Sequence, residues 1–399
     1  MKYIVVLGDG MADEPIAELG NRTPLAAAMT PAMDTLAAKS EIGLVHTIPE
    51  GMNPGSDTAN LSVMGYDPNV YYTGRSPLEA LSIGVPMKDS DVALRCNLIT
   101  LSEGEPYEKK TIMDHSADEI STEDANILLE AVRRELENEV YQFYAGTSYR
   151  HCLIWDCGTV VELTPPHDVL GQMTGDFLPK NAALLEMQKK SYDILVNHPI
   201  NQARKARGLN PANSCWFWGA GTKPLLSSFE DKNHKKGVMI SAVDLLKGIA
   251  VGAGIDNIAV PGANGGLHTN YEGKAQAAVD ALLKEGYDFA YVHVEAPDEM
   301  GHQGSLEKKI QAIEYLDQRV IKHVFERMEA SGEAYRLLIL PDHPTPLRLR
   351  THTSDPVPYL LYDSTKIQKH SWHYHEEDAR ASKNVILDGY KMMDYLFEV

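Results

Sequence analysis

Short apolar runs alternate along this chain with segments whose apolar residues recur at helical spacing. The run at 3–7 is apolar throughout, as in a strand buried on both faces of a parallel sheet. A helix is predicted to begin near Thr23-Pro24, because proline is well tolerated in a first helical turn. The residues that would share its buried face are Leu25, Met29, Met33 and Leu36.

The same alternation extends through most of the chain. Further strands are predicted at 43–48, 238–240, 288–294 and 336–340, and further helices from Ser56, at 242–250 and at 307–328. Alternating strands and helices predict a doubly wound, mostly parallel α/β sheet. Ligands of such sheets bind at the carboxyl ends of the strands, so residues that follow the strands are the first candidates for chemistry.

The middle of the chain has a different pattern. Residues 90–185 are more polar, with a charged helix predicted at 122–139 and short strands at 142–144 and 152–155. This pattern predicts a smaller α+β domain inserted into the main one. We therefore expect a core formed by residues 1–89 and 186–399 and an inserted substrate-binding domain at 90–185.

Composition excludes several classes of protein. The chain has 37 Lys+Arg against 56 Asp+Glu, a formal net charge of −19, which argues against a nucleic-acid or membrane-surface partner. A hydrophobic share of 43% excludes a disordered chain. The four cysteines are scattered and lack a C-x-x-C pair, as expected of free thiols in a reducing cytoplasm.

Acids and histidines follow three of the predicted strands. Asp9 comes after the first strand, Asp298 and His302 after the strand at 288–294, and Asp342-His343 after the strand at 336–340. His352 comes nine residues later. Carboxylates and imidazoles at one sheet edge are typical ligands of Mn²⁺ or Zn²⁺. Taken singly, Asp9 would suit a turn and Asp298 with His302 a helix surface.

Ser56 is a candidate nucleophile. It follows Pro54-Gly55 at a predicted helix start, where backbone N–H groups favour a phosphate. A nearby metal ion would lower the pKa of its hydroxyl. The alternative is an ordinary helix-capping serine, and Thr58 offers a competing hydroxyl.

Basic residues could hold an anionic substrate. Arg75, Arg95 and Lys247 are candidates for phosphate or carboxylate contacts, or else solvated surface charges. The histidines of the polar tail, His370, His373 and His375, are expected to be solvated and without a role.

These residues together resemble a known family. The segments that carry the resemblance are Gly8-Asp9-Gly10, Pro54-Gly55-Ser56-Asp57-Thr58-Ala59, Gly65-Tyr66-Asp67-Pro68, Tyr72-Thr73-Gly74-Arg75, Pro297-Asp298 with His302, Asp342-His343 and Thr351-His352-Thr353. In that order they are similar to the archaeal-type, cofactor-independent phosphoglycerate mutases of the alkaline phosphatase superfamily. The resemblance covers essentially the whole chain.

The resemblance implies an alkaline-phosphatase-like core with two divalent metal ions and no organic cofactor. Mn²⁺ is the expected ion, with Zn²⁺, Mg²⁺ and Co²⁺ as alternatives. The residues matching the ligands of one ion, together with Ser56, are Asp9, Asp342 and His343. Those matching the ligands of the other ion are Asp298, His302 and His352.

The implied reaction moves a phosphoryl group through Ser56. A phosphoserine forms, the glycerate reorients while it is shielded from water, and its other hydroxyl takes the group back. The expected partner is a small phosphorylated metabolite, and the sequence carries no signal for the oligomeric state. Hinges of the inserted domain are expected near 84–90 and 171–180.

Other functions fit the same core. A bacterial subgroup that looks much like this chain has been proposed to be a homoserine kinase, and a phosphatase or sulfatase would use the same ions. The chain has neither a G-x₄-G-K-[ST] loop nor a kinase-type G-x-G-x-x-G, which favours the mutase. A metal-dependent binding protein is the non-enzymatic alternative.

Overall fold

The computed structural model describes residues 1–398, which divide into two compact units. Residues 1–72 and those from 226 onward form the first unit, and residues 73–225 form the second. The strands are β1 (Lys2–Gly8), β2 (Glu41–Val45), β3 (Val92–Leu101), β4 (Ile112–Asp114), β5 (Tyr141–Tyr144), β6 (Arg150–Trp155), β7 (Ser214–Thr222), β8 (Gly237–Ile240), β9 (Asp256–Asn257), β10 (Phe289–Val294), β11 (Tyr335–Leu340), β12 (Val357–Asp363) and β13 (Val385–Ile386).

Helices fill most of the connections between these strands. They are α1 (Pro24–Ala27), α2 (Pro31–Ala37), α3 (Ser56–Val63), α4 (Pro68–Tyr71), α5 (Arg75–Ser82), α6 (Thr122–Leu136), α7 (Ala182–Leu195), α8 (Pro199–Ala206), α9 (Phe229–Asn233), α10 (Asp244–Gly252), α11 (Tyr271–Lys284), α12 (Ala296–His302), α13 (Leu306–Leu316), α14 (Lys322–Ser331), α15 (Glu376–Ala381) and α16 (Met392–Phe397). Within residues 1–398, none of them combines the length and the apolar run that a membrane crossing requires.

The first unit contains an eight-stranded sheet in the order β13-β2-β12-β11-β1-β10-β8-β9. Strand β1 runs parallel to both neighbours, β10 and β11, whereas β12 runs antiparallel to β11 and β2. The apolar runs are buried on both faces, and Ile4 and Val6 pack into one core with residues of α11 and α13. The predicted mostly parallel α/β sheet is confirmed.

The helix predicted from Thr23 is interrupted. Pro31 begins a new helix, α2, and the chain between α1 and α2 leaves Met29 72% exposed rather than on a buried face. Proline has no backbone N–H and cannot continue the helix hydrogen bonds at this point. The predicted burial of Met29 is therefore wrong.

The helix predicted at 307–328 contains a π-helical turn at Asp317–Ile321, between α13 and α14. The Asp317 carboxylate accepts the backbone N–H groups of Met33 at 2.7 Å and Ala32 at 3.2 Å. Asp317 thereby satisfies backbone N–H groups in the first turn of α2. The side chain of the N-cap residue of α2, Thr30, makes no such hydrogen bond.

The second unit is wider than the predicted insertion at 90–185. Its long central strand β3 pairs antiparallel with β6 on one side and with β7 on the other. Strand β7 lies beyond residue 185, and because it pairs with β3, the second unit extends to residue 225. Helix α5, which precedes residue 90, lies in this unit as well.

Candidate metal centre

Ser56 is the first residue of α3, as its position after Pro54-Gly55 predicts. The N-cap is Gly55, with extended backbone at φ −172°. The Ser56 hydroxyl lies 3.1 Å from Nε2 of His343, and its backbone carbonyl accepts the Asn60 side-chain amide at 2.8 Å. The candidate nucleophile is thus held by its own helix and faces an imidazole.

Asp9, Asp342 and His343 come together because β1 and β11 are adjacent parallel strands ending at the same edge. His343 Nε2 lies 3.5 Å from Asp9 Oδ1 and 3.4 Å from Asp342 Oδ2. All three side chains are buried, with Asp342 and His343 completely so. Two carboxylates, one imidazole and the Ser56 hydroxyl therefore converge on one buried point.

The electrostatics of this point suit a bound cation. Burial and the neighbouring carboxylate of Asp342 raise the pKa of Asp9 well above its usual range. Asp9 Oδ1 is buried and has no hydrogen-bond partner among residues 1–398. Burial lowers the pKa of His343, which leaves its imidazole neutral with a lone pair available. Carboxylate oxygens and a neutral imidazole nitrogen are ligand atoms that suit a divalent ion. A bound ion would also offset the repulsion between the two carboxylates.

A second group of candidate ligands lies on α12 and the loop after β11. Asp298 and His302 are one helical turn apart, with His302 Nε2 at 3.1 Å from Asp298 Oδ2. His352 Nε2 lies 3.4 Å from Asp298 Oδ1 and 3.0 Å from His302 Nε2. The three side chains proposed from the sequence for a second ion therefore face one another.

Protonation in this second group follows from the same contacts. The hydrogen bond with Asp298 raises the pKa of His302 to about 9. Although burial alone would raise the pKa of Asp298, hydrogen bonds from His302 and His352 hold it well below its usual range. The cluster thus pairs a carboxylate with a protonated imidazole, whose positive charge a metal ion could replace.

Gly10 lets the loop after β1 approach these candidate ligands closely. Its φ is +59°, and a Cβ here would lie 2.4 Å from Thr345 Oγ1 and 2.8 Å from the Asp298 Cα. Its N–H also donates to Asp342 Oδ1 at 3.1 Å. A side chain at this position would push the two ligand groups apart.

Three residues that contact the candidate ligands are not predicted from the sequence. His293 Nε2 contacts Asp9 Oδ2 at 2.9 Å, Asn60 donates to Asp342 Oδ2 at 2.9 Å, and the Thr345 hydroxyl donates to Asp298. The signal for His293 is a histidine within an otherwise apolar strand. Burial lowers its pKa to about 3, so the ring is neutral, and its Nδ1 faces the Ser241 hydroxyl at 3.1 Å.

The candidate anion-binding residues fall into two places. In the second unit, Arg75 and Arg95 both pair with Glu79, at 2.8 Å and 2.9 Å, and Arg95 lies over the Trp218 ring. In the first unit, Lys247 on α10 lies 3.2 Å from Asp244. The two arginines are therefore neighbours that share one carboxylate partner, whereas Lys247 lies in the other unit with a different partner.

Two histidines extend the arginine group in the second unit. The His167 ring packs against Trp218, with centroids 5.2 Å apart, and against His115 at 6.0 Å. His115 Nδ1 is buried and has no hydrogen-bond partner among residues 1–398. Local sequence patterns do not indicate these histidines, because their neighbours come from distant strands.

Comparison with known proteins gives concordant matches. Residues 37–201 match the family model described as 2,3-bisphosphoglycerate-independent phosphoglycerate mutase. A protein of that name from Methanosarcina acetivorans is 50% identical over 387 residues, which cover 95% of each chain.

Solved structures are similar over the whole chain. A Pyrococcus horikoshii protein matches with a TM-score of 0.83 and 30% identity, covering 100% of this chain and 96% of the other. A cofactor-independent phosphoglycerate mutase from Thermoplasma acidophilum matches with a TM-score of 0.65 and 27% identity, covering 100% and 99%.

Proposed function

Because this chain belongs to the 2,3-bisphosphoglycerate-independent phosphoglycerate mutase family, we propose that it interconverts 3-phosphoglycerate and 2-phosphoglycerate through a phosphoserine at Ser56. The observation that supports Ser56 as the nucleophile is the 3.1 Å contact between its hydroxyl and His343 Nε2. That same nitrogen faces the carboxylates of Asp9 and Asp342. A serine that only began a helix would not need to face such a cluster.

Two divalent ions are part of this proposal. Asp9, Asp342 and His343 would hold one beside Ser56. The residues that would hold the other are Asp298, His302 and His352. Mn²⁺ is proposed for both, since carboxylate and imidazole donors suit it, and no organic cofactor is required. When bound, the ions supply positive charge that favours the ionised Ser56 oxygen and neutralises the phosphoryl oxygens.

The reaction then proceeds by two phosphoryl transfers, first from the substrate to Ser56 and then from Ser56 to the other hydroxyl of the glycerate. The Ser56 oxygen forms a bond to phosphorus as the bond from phosphorus to O3 of the glycerate breaks. The proton of the Ser56 hydroxyl ends on that glycerate oxygen, so charge and atoms balance. In the second transfer, O2 attacks the phosphoserine, its proton returns to Ser56, and 2-phosphoglycerate leaves.

The basic residues are proposed to bind the anionic parts of the substrate. Arg75 and Arg95 are oriented by their shared partner Glu79, which holds both guanidinium groups in place. A planar guanidinium suits bidentate contact with carboxylate or phosphate. Lys247 is proposed as a further anion contact, with Asp244 as its present partner.

The names of the relatives favour the mutase over the homoserine kinase, and a mutase acts on a small phosphorylated metabolite. A cytoplasmic location is part of the proposal, consistent with four cysteines that are all free.

The test is turnover by chelator-stripped, Mn²⁺-reloaded protein, given 3-phosphoglycerate without bisphosphoglycerate. ATP and homoserine are supplied to the same preparation in a parallel assay. We expect 2-phosphoglycerate from the wild type and none from Ser56→Ala. Formation of O-phosphohomoserine without isomerisation, or full isomerisation by Ser56→Ala, would overturn the proposal.

A further inference from the structure

The polar tail contains a second place where histidines and a carboxylate converge. His373 and His375 precede α15, and Asp378 lies in its first turn. The sequence alone predicts solvated histidines without a role here. In the structure, however, one ligand atom from each of the three residues lies within 4.8 Å of the others.

The spacing of these atoms is close to that around a metal ion. His373 Nδ1 lies 3.6 Å from Asp378 Oδ2, and His375 Nε2 lies 3.8 Å from the same oxygen. Ligand atoms of a tetrahedral ion with bonds of about 2.0–2.1 Å are roughly 3.3 Å apart. Small side-chain rotations would therefore bring all three atoms to bonding distance.

The backbone already orients the three groups. The two imidazole rings are parallel to within 7°, with centroids 6.2 Å apart. Asp378 Oδ2 accepts the backbone N–H of His373 at 2.7 Å, which turns the carboxylate toward the histidine segment. Asp378 and His375 are half-buried, while His373 is 63% exposed, so an ion could enter from solvent.

We propose that His373, His375 and Asp378 form a binding site for a Zn²⁺-type transition-metal ion, separate from the centre around Ser56. Two imidazoles and one carboxylate are donors that favour such ions over Mg²⁺ or Ca²⁺. Three protein ligands leave room for water or a further ligand. The bound ion would tie the histidine segment to the first turn of α15.

One existing contact competes with the ion. His375 Nδ1 accepts the backbone N–H of Asp378 at 3.3 Å, which caps α15. A neutral imidazole that binds an ion through Nε2 carries its proton on Nδ1, so that long capping bond is lost on binding. We therefore expect micromolar affinity, weaker than that of a closed structural zinc site.

The test compares the Zn²⁺ content of full-length proteins after chelation and equilibrium dialysis against micromolar Zn²⁺. The wild type should retain about one more ion per chain than His373→Gln/His375→Gln. His370→Gln is the matched control, because this exposed histidine of the same segment pairs with Gln368 and lies outside the cluster. It should match the wild type.

A second measurement separates binding from folding. Asp378→Asn keeps the side-chain shape but weakens the ligand, and it should also lose the additional ion while far-UV circular dichroism stays unchanged. Equal Zn²⁺ content in the wild type and the double variant would overturn the proposal, as would an additional ion seen only at millimolar Zn²⁺.

Discussion

The Nε2 atoms of His302 and His352 lie 3.0 Å apart, and both face the carboxylate of Asp298. Two ring nitrogens at this distance can share one proton, but they cannot both direct a proton at each other. The hydrogen bond with Asp298 raises the pKa of His302 to about 9, so a proton remains in this cluster at neutral pH. An ion bound by the three groups has to displace it.

We expect Mn²⁺ binding to the metal-free protein near neutral pH to release about one proton from His302. Below a pKa of about 9 the metal-free imidazole is mostly protonated, and a metal ligand must be neutral. Apparent affinity should therefore rise, and proton release should fall, as the pH rises through about 9. Calorimetric titration in buffers of different ionisation enthalpy measures both quantities.

A histidine outside the cluster serves as the control for this release. His323, on α14, contacts Gln276 at 3.0 Å, and His323→Gln should release the same number of protons as the wild type. His302→Gln should bind less Mn²⁺ and lose the release. Proton release that did not change between pH 7 and 10 would contradict the assignment.

Ser56→Ala should reduce turnover by roughly 10⁴-fold or more, because the alanine cannot accept the phosphoryl group. The free energy of unfolding should change by less than about 1 kcal/mol, and metal content should stay near that of the wild type. Steady-state rates, metal analysis and denaturant unfolding provide the three readouts.

Ser62→Ala is a suitable control, since the Ser62 hydroxyl lies in the same helix, is buried and has no partner among residues 1–398. Its activity should equal that of the wild type. Comparable activity in Ser56→Ala would remove Ser56 from the reaction.

His293 should position Asp9 for metal binding. With the proton of its neutral ring on Nε2, it donates to Asp9 Oδ2 at 2.9 Å, while Nδ1 contacts the Ser241 hydroxyl. His293→Leu should weaken metal binding by roughly 10–100-fold, a usual cost when a ligand's hydrogen-bond partner is removed. Mn²⁺ titration of the metal-free protein measures the change.

Rescue distinguishes positioning from general destabilisation. His293→Gln retains an N–H donor and should recover more metal affinity than His293→Leu at similar unfolding free energy. Equal affinities in the two variants would show that the hydrogen bond to Asp9 does not position it.

The sheet, and the strand ends at which the candidate ligands lie, are predicted well from the sequence because both depend on local pattern. Buried parallel strands are continuous apolar runs, and the residues after β1 and β11 must meet once those strands are adjacent. The contact of His293 with Asp9 is not predicted because His293 lies inside such a run. The extent of the second unit is not predicted because β3 and β7, which pair, are more than 100 residues apart in the chain.

Histidines of the tail show the same limit. His373, His375 and Asp378 lie within six residues, but their convergence depends on how the chain turns into α15, which polarity alone does not predict. Similarly, Arg75 and Arg95 are predicted singly, whereas their shared carboxylate Glu79 requires β3 to pack beside α5. Much of what the sequence analysis does not predict is therefore which side chains come into contact once the elements pack together.

Gly10→Ala should separate the two ligand groups while the strands stay intact. The added Cβ would lie 2.4 Å from Thr345 Oγ1, 2.5 Å from Asp298 Oδ1 and 2.8 Å from the Asp298 Cα, and backbone cannot move aside as a flexible side chain can. We expect loss of metal from the Asp298 group, a large loss of activity, and a lower free energy of unfolding.

Gly332→Ala isolates the part of this effect that comes from backbone conformation. Gly332 has φ +71° at the end of α14, and an added Cβ meets nothing within 4 Å. Left-handed backbone at a non-glycine residue costs about 1–3 kcal/mol, so Gly332→Ala should lose stability of that order and keep its metal and activity. Because Gly10→Ala bears the same conformational cost and the steric conflict besides, its additional loss measures how closely the β1 loop must approach Asp298. If the two variants retained equal metal and activity, close packing at Gly10 would not be needed to assemble the centre.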